Sequence, residues 1–179
     1  IFFVWASRCI MVASMKFIKE ATTSTSVTDL SITDCFDSRF RSYYVSIIDL
    51  DMSVQDYFHI RVINASGVDS GTNYENANHQ LKANTTYTQQ GYTGTDTYWR
   101  NIAFVYGSVQ KIGMGIWIYN PNAINSFTHM KYQNVYDINN LYGNKGIGYH
   151  KVNEQITGLN FKSNTGTIDS LTVKVFGIL

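Results

Sequence analysis

The fold of this chain is decided by residues 156–179, whose sequence is ITGLNFKSNTGTIDSLTVKVFGIL. Apolar residues recur at every second position in both halves of the stretch, with one slip in the first half: Ile156, Leu159 and Phe161, then Leu171, Val173 and Val175. This is the period of a β-strand with one buried face, and Gly166 between the halves can adopt the positive φ that a turn requires. The stretch predicts a closing β-hairpin that ties the end of the chain into a sheet, and with it an all-β protein.

Weaker signals of the same kind occur along the rest of the chain. The further stretches that we interpret as strands are residues 16–21, 27–33, 42–50, 57–64, 112–119, 127–138 and 146–152. Pro121, the only proline, follows one of them and ends it, because proline cannot donate to a sheet ladder. Residues 65–96 lack the period, and we expect a long loop there with one strand or helical turn at residues 76–81.

A total of about eight to ten strands without an amphipathic helix predicts an antiparallel two-sheet β-sandwich. We expect it to be jelly-roll-like and prefer this to a meander barrel. With 179 residues the chain suits a single domain, which we place at residues 16–179 behind an N-terminal segment of residues 1–15. Tyr44 and Ile48 alternate with apolar residues of the opposite face, so we expect both faces of that strand to be covered.

The composition describes a polar surface with few charges. Charged residues make up 15 % of the chain and aromatic residues another 15 %, with a formal net charge of +1. Such a surface suits a protein that sits in a large assembly or outside the cell, and it equally suits a strand-rich fold that uses the residues strands prefer. Because the basic residues are also scattered, we expect neither a nucleic-acid nor a membrane partner.

The first residues, IFFVWASRCIMVA at positions 1–13, are apolar but too short to span a bilayer, which takes about 20 residues. Phe2, Phe3 and Trp5 must be covered, since an exposed aromatic cluster favours aggregation. The segment is either an extra strand of its own sheet or an arm on a neighbouring subunit. We favour the arm and predict that these three aromatic residues form an interface.

No pattern predicts catalysis, a metal or a cofactor. The four histidines are too far apart in sequence to indicate a metal site; they are His59, His79, His129 and His150. Cys9 and Cys35 are interpreted as free thiols. Asp49 and Asp51 are explained better by a turn after a strand than by a calcium loop or a glycosidase pair. We therefore predict a protein that is not an enzyme.

One aromatic and polar loop, residues 87–99 with the sequence YTQQGYTGTDTYW, is a candidate binding region. Its large aromatic residues are Tyr87, Tyr92, Tyr98 and Trp99. Aromatic rings stack on the apolar faces of sugars while amides and carboxylates bond the hydroxyl groups, so the loop could bind a glycan. The same residue types suit a protein interface, and we favour a subunit contact.

Four segments together resemble a group of tailed-bacteriophage virion proteins. They are KFIKEAT at residues 16–22, FDSRFRSYYV at 36–45, GMGIWIYNP at 113–121, and the closing ITGL and FGIL at 156–159 and 176–179. The resemblance covers most of the chain from Lys16 onward, whereas the residues before Lys16 depart from the pattern. These motifs are packing motifs, and none of them carries a catalytic residue.

The resemblance implies a β-sandwich structural protein of the virion that decorates the capsid or forms part of a tail fibre or another appendage. Its expected partners are the major capsid protein or appendage subunits, in a homo-trimer or another symmetric oligomer. The function we expect first is capsid decoration through repeated subunit contacts. The alternative is an appendage module that binds a host surface glycan.

Overall fold

The computed structural model describes residues 14–84, 87–106, 111–137 and 141–179. The predicted interface residues Phe2, Phe3 and Trp5, and the thiol of Cys9, lie outside them. Within this part the chain forms thirteen strands and no helix. The strands are β1 Met15–Thr23, β2 Asp29–Ile32, β3 Ser42–Met52, β4 Gln55–Asn64, β5 Gly67–Val68, β6 Tyr74–Lys82, β7 Thr88–Asp96, β8 Trp99–Tyr106, β9 Ile112–Tyr119, β10 Thr128–Asp137, β11 Leu141–His150, β12 Gly158–Ser163 and β13 Ile168–Ile178. A helix long and apolar enough to cross a membrane is not found among the described residues.

These strands form two antiparallel sheets, which confirms the predicted all-β, two-sheet class. The larger sheet has eight strands in the order β1-β13-β3-β9-β10-β11-β6-β7. The smaller sheet has five, with β2-β12-β4-β5 in order and β8 also paired with β4. The two sheets enclose one core, as in other sandwiches.

The core is built by the alternation that the sequence displays. In β3 the side chains of Tyr43, Val45 and Ile47 are buried, and in the smaller sheet those of Phe58 and Ile60 are buried from the other side. Because successive strand residues point to opposite faces, a period of two delivers every second side chain to the core. The alternating stretches of the sequence therefore identify inward-facing residues correctly.

The predicted closing hairpin is wrong, because β12 and β13 do not pair with each other. β12 lies between β2 and β4 in the smaller sheet, whereas β13 lies between β1 and β3 in the larger one. The turn at residues 164–166 leads the chain from one sheet to the other. Both strands alternate because both face the shared core, and alternation does not tell which strand is the neighbour.

The predicted long loop at residues 65–96 is also wrong, since this region contains β5, β6 and β7, although the strand expected as one alternative at residues 76–81 is present as part of β6. Its inward-facing residues include Asn76, whose side-chain amide donates to the Arg100 carbonyl over 2.9 Å and whose oxygen accepts from the Arg100 N–H, also at 2.9 Å. A buried amide with such partners occupies a core position without an apolar side chain. Side chains here alternate between the core and the solvent. Because some of the core-facing ones are polar, the sequence does not show an alternation of apolar and polar residues.

Two smaller expectations concern β3 and Cys35. Asp49 does not follow the strand but lies inside it, at a φ of 56° where the pairing with β9 and β13 is irregular. Its carbonyl accepts a hydrogen bond from the Ser170 hydroxyl over 2.7 Å, so the residue belongs to a bulge and not to a turn. Cys35 is buried and free, as predicted, and burial raises the pKa of its thiol to about 12.

Candidate functional site

The side of the eight-stranded sheet that points away from the core, here called the outer face, carries one continuous row of residues. The strand register places one residue of each strand in this row, in the order Phe17, Phe176, Tyr44, Trp117, Lys131, Ile147, Ala77 and Gly91. The first four are aromatic and the last three become steadily smaller. Large rings therefore cover one half of the outer face, whereas the smaller side chains of the other half leave its surface lower.

The aromatic half is packed but not covered. The ring centres of Phe17 and Phe176 are 5.8 Å apart, those of Phe176 and Tyr44 are 6.5 Å apart, and those of Tyr44 and Trp117 are 5.3 Å apart. Phe17 remains 53 % exposed, and Ile48 on the same side of β3 is 40 % exposed. The expectation that both faces of this strand are covered is therefore wrong within the part of the chain that the structure describes, where the outer face of β3 stays partly exposed.

The low half forms a groove. Two adjoining cavities of about 680 and 460 Å³ share Ala77, Gly91, Lys131 and Ile147 as lining residues. A side-chain carbon added at Gly91 would meet no atom within 4 Å, so this glycine opens space in the groove. Together the cavities are large enough for a ligand of several sugar rings or for an extended segment of protein.

The groove has one polar side and one aromatic side. Polar residues in register across four strands line the first cavity: Gln133, Lys145, His79 and Gln89. Rings in register across three strands line the second: Tyr119, His129 and Tyr149. Amide, ammonium and imidazole groups can bond hydroxyl groups or carbonyls, and the tyrosine rings can stack on an apolar surface.

Hydrogen bonds fix the aromatic side of the groove. The Tyr149 hydroxyl donates to one oxygen of Glu75, and the Lys151 ammonium donates to the other over 2.7 Å. Lys151 first, and Tyr149 next, hold the pKa of Glu75 below its usual value. The ring of Tyr149 also stacks on Phe127, with 5.8 Å between centres and 11° between planes. A ring held in this way keeps its orientation before any ligand arrives.

The four aromatic residues of the predicted loop do not form one site. Most of the region is strand β7, and Trp99 at the start of β8 is fully buried against Tyr74, so its prediction as a ligand or interface residue is wrong. Tyr98 lies on the side of the smaller sheet away from the core, stacked on His59 at 4.3 Å. The guanidinium of Arg61 is 5.5 Å from the Tyr98 ring centre, and other cations flank the ring as well.

The other two residues of that loop lie at the groove. Tyr87 is 60 % exposed and stacks on His79, a lining residue, with 5.6 Å between ring centres. Tyr92 lines the second cavity, and its hydroxyl donates to Gln90 while accepting from the Asn101 amide over 2.6 Å. The interpretation of the region as a binding surface therefore stays a prediction for Tyr87 and Tyr92.

Sequence reasoning missed the residues that form the row and the groove. Trp117 and Tyr119 alternate with the buried Ile116 and Ile118, so the pattern already marks them as outward-facing. What the pattern lacks is the register that aligns them with His129 and its neighbours on β10 and β11. If the pairing of these strands had been known, the sequence would have predicted the site.

Comparison with known proteins does not assign this chain to a family. No family model, curated protein or solved structure matches the chain. The resemblance to tailed-phage virion proteins consequently stays a prediction from sequence motifs, and the function has to be argued from the surface of the molecule.

Proposed function

We propose that this chain is a non-enzymatic structural protein of a tailed-phage virion, a capsid decoration protein that acts through symmetric subunit contacts. The observation that carries the proposal is the exposed apolar character of the outer face. Large apolar residues at least 40 % exposed on this one face are Met15, Phe17, Ile48, Leu81, Val135, Leu141 and Ile147. Apolar residues concentrated on one face in this way mark an interaction site.

Strand order supports the same proposal at the level of the fold. In the larger sheet β1, β13, β3 and β9 are consecutive, and in the smaller sheet β2, β12 and β4 are consecutive with β8 next to β4. We infer from this order a jelly roll with two insertions, β5–β7 and β10–β11. Four of the inserted strands, β10, β11, β6 and β7, widen the larger sheet on the same side. Jelly rolls are frequent in capsid proteins and in lectins, and the argument is one of fold analogy.

A second copy of the chain, or a subunit related to it by the particle's symmetry, is the occupant we propose for the outer face. Eight strands about 4.8 Å apart and roughly 30 Å long span about 1,100 Å², which exceeds the ~800 Å² per partner of a standard interface. Lys131 and Lys145 lie in the middle of the face, so the partner has to supply acceptors for their ammonium groups or leave them in water.

The oligomeric state of the purified protein tests this contact. We expect analytical ultracentrifugation to show a concentration-dependent oligomer that Ile147→Lys and Val135→Lys convert to monomers. Ile124→Lys is the matched control, because Ile124 is 73 % exposed but lies outside the sheets. A wild-type protein that stays monomeric at every concentration contradicts the contact, and absence of its peptides from purified virions contradicts the virion assignment.

The groove favours a second candidate, an appendage module that binds a host surface glycan. Its stacking rings and hydroxyl-bonding side chains are the two elements that sugar recognition needs. We expect Gly91→Phe, which fills the groove, and Lys131→Ala, which removes its central cation, to abolish binding on a glycan array. Lys174→Ala is the control, since Lys174 lies on the same sheet but three strands from Lys131. Binding that survives both groove variants, or no glycan binding at all, rejects this candidate.

A further inference from the structure

Three side chains meet at one end of the sandwich: Asp69 after β5, His150 at the end of β11, and Glu154 in the connection to β12. Their nearest nitrogen and oxygen atoms all lie within 4.8 Å of one another. The side chain of His150 has no exposed surface, whereas those of Asp69 and Glu154 are 14 % and 27 % exposed. The histidine therefore lies beneath two carboxylates that reach solvent.

Asp69 fixes one nitrogen of this histidine. Its Oδ2 lies 2.6 Å from Nε2 of His150, and its Oδ1 accepts from the Gly71 N–H over 2.7 Å. A carboxylate oxygen at this distance accepts from the ring, so Nε2 is the nitrogen that donates to Asp69.

The other nitrogen is buried and has no hydrogen-bond partner among the described residues. Nδ1 of His150 lies 3.8 Å from Oε1 of Glu154, while Oε2 of Glu154 accepts from the Asn64 amide over 3.0 Å. With the ring proton on Nε2, Nδ1 presents a lone pair toward a carboxylate oxygen. Two acceptors that face each other leave a buried polar atom unsatisfied, which is unfavourable unless a positive group lies between them.

We propose that this pair of atoms is a binding site for a divalent transition-metal ion such as Zn²⁺. Nδ1 of His150 and Oε1 of Glu154 are the ligands, and Asp69 orients the imidazole through Nε2. A carboxylate on the second ring nitrogen is the usual companion of a metal-bound histidine, and imidazole with carboxylate suits Zn²⁺. Two ligands on a tetrahedral Zn²⁺ lie about 3.4 Å apart, so Glu154 has to approach by a few tenths of an ångström.

The ion would join the two sheets at this end of the molecule. His150 belongs to the larger sheet. Glu154 accepts a hydrogen bond from Asn64, the last residue of β4 in the smaller sheet. Water would take the remaining coordination positions, since the side chain of Glu154 is partly exposed. Because the site depends on the folded arrangement of distant segments, metal binding stabilises the folded state.

Titration of chelator-treated protein with Zn²⁺ tests the proposal, with calorimetry for the stoichiometry and thermal unfolding for the linkage. We expect one ion per chain and a Tm that rises with the Zn²⁺ concentration. Glu154→Gln should weaken binding at least tenfold, and Asp69→Asn by about 10- to 100-fold, as for other orienting partners. The double variant His79→Gln/His129→Gln is the matched control, because it removes two histidines that are not part of the cluster and should leave this affinity unchanged.

A second measurement covers the case in which a variant fails to fold. In long-range ¹H–¹⁵N spectra of the wild-type protein, we expect Nδ1 of His150 to shift on addition of Zn²⁺ while Nε2 keeps its proton. The proposal is overturned if Zn²⁺ leaves the His150 signals unchanged. It is also overturned if Glu154→Gln binds like the wild type, or if the His79 and His129 substitutions abolish binding.

Discussion

The carboxylate of Asp56 on β4 accepts a hydrogen bond from the hydroxyl of Ser163, the last residue of β12, over 2.7 Å. The same oxygen accepts from the hydroxyl and N–H of Thr165 and from the N–H of Gly166. Asp56 is only 5 % exposed. One side chain thus organises the turn by which the chain passes from the smaller sheet to the larger one.

Replacing Asp56 tests this role. Burial alone would raise the pKa of Asp56, but the hydrogen bonds from Ser163, Thr165 and Tyr57 hold it below its usual value. A carboxyl with a lowered pKa stabilises the fold above its unfolded pKa of about 3.9 and loses that contribution as the pH falls through the folded value. We expect Asp56→Asn to lower the free energy of unfolding by ~3 kcal/mol at pH 7, and the difference to disappear at the acid limit. Urea denaturation across this range measures it, and a difference independent of pH would contradict the explanation.

His59 should make stability depend on pH in a higher range. Burial lowers its pKa to about 4, and its Nδ1 accepts from the Asn101 N–H over 3.1 Å. The unfolded chain binds this proton at a pH of about 6.5 and the folded chain does not, so stability falls as the pH drops from 6.5 to 4, by ~3 kcal/mol in total. His59→Gln keeps an acceptor for Asn101 and should flatten this slope. Parallel pH profiles for the two proteins would show that other groups are responsible.

Two glycines offer a matched pair of substitutions. A side-chain carbon at Gly158 would lie 2.2 Å from the carbonyl oxygen of Ile32, a backbone atom held in the β2–β12 pairing. At Gly91 no atom lies within 4 Å. We expect Gly158→Ala to lower the free energy of unfolding by at least ~2 kcal/mol and Gly91→Ala to change it by less than ~0.5 kcal/mol. Chemical denaturation decides this, and similar values for both variants would mean that β2 can shift away.

Trp99 should behave as a core residue and not as a binding residue. Its ring meets Tyr74 edge-on at 5.6 Å, and its Nε1 donates to the Tyr149 carbonyl over 3.1 Å. Trp99→Ala is expected to lower the free energy of unfolding by ~4 kcal/mol. Trp117→Ala, which removes a half-buried ring of the outer face, should cost less than half as much. Thermal unfolding of both variants compares them, and the reverse order would place Trp99 outside the core.

Much of the core could be read from the sequence, because burial in a strand follows the local pleat. Leu171, Val173 and Val175 are assigned correctly to the buried face by alternation alone. Strand pairing could not be predicted in this way, because it depends on contacts between residues far apart in the chain. Nothing in the sequence around Gly166 distinguishes a hairpin turn from a connection between sheets. In the structure, the hydrogen bonds of the buried Asp56 carboxylate hold this turn as a connection between sheets.

The candidate sites were less predictable for the same reason. Trp99 was grouped with Tyr98 by residue type, yet the two rings lie on opposite sides of the smaller sheet. Asn101, at a φ of 52°, also breaks the alternation that would have marked Trp99 as inward-facing. Asp69 and His150 are brought together only by the end of the folded sandwich, so no spacing in the sequence indicates their contact.

Among the described strands of the larger sheet, β1 pairs only with β13. During translation β1 therefore leaves the ribosome long before β13, the strand with which it pairs. β1 is synthesised early but can pair only after β13 has been synthesised. This edge of the sheet therefore cannot form until residues 168–178 have emerged. Until then Phe17 lacks Phe176, the ring that it contacts in the folded sheet, and the nascent chain exposes an unpaired strand.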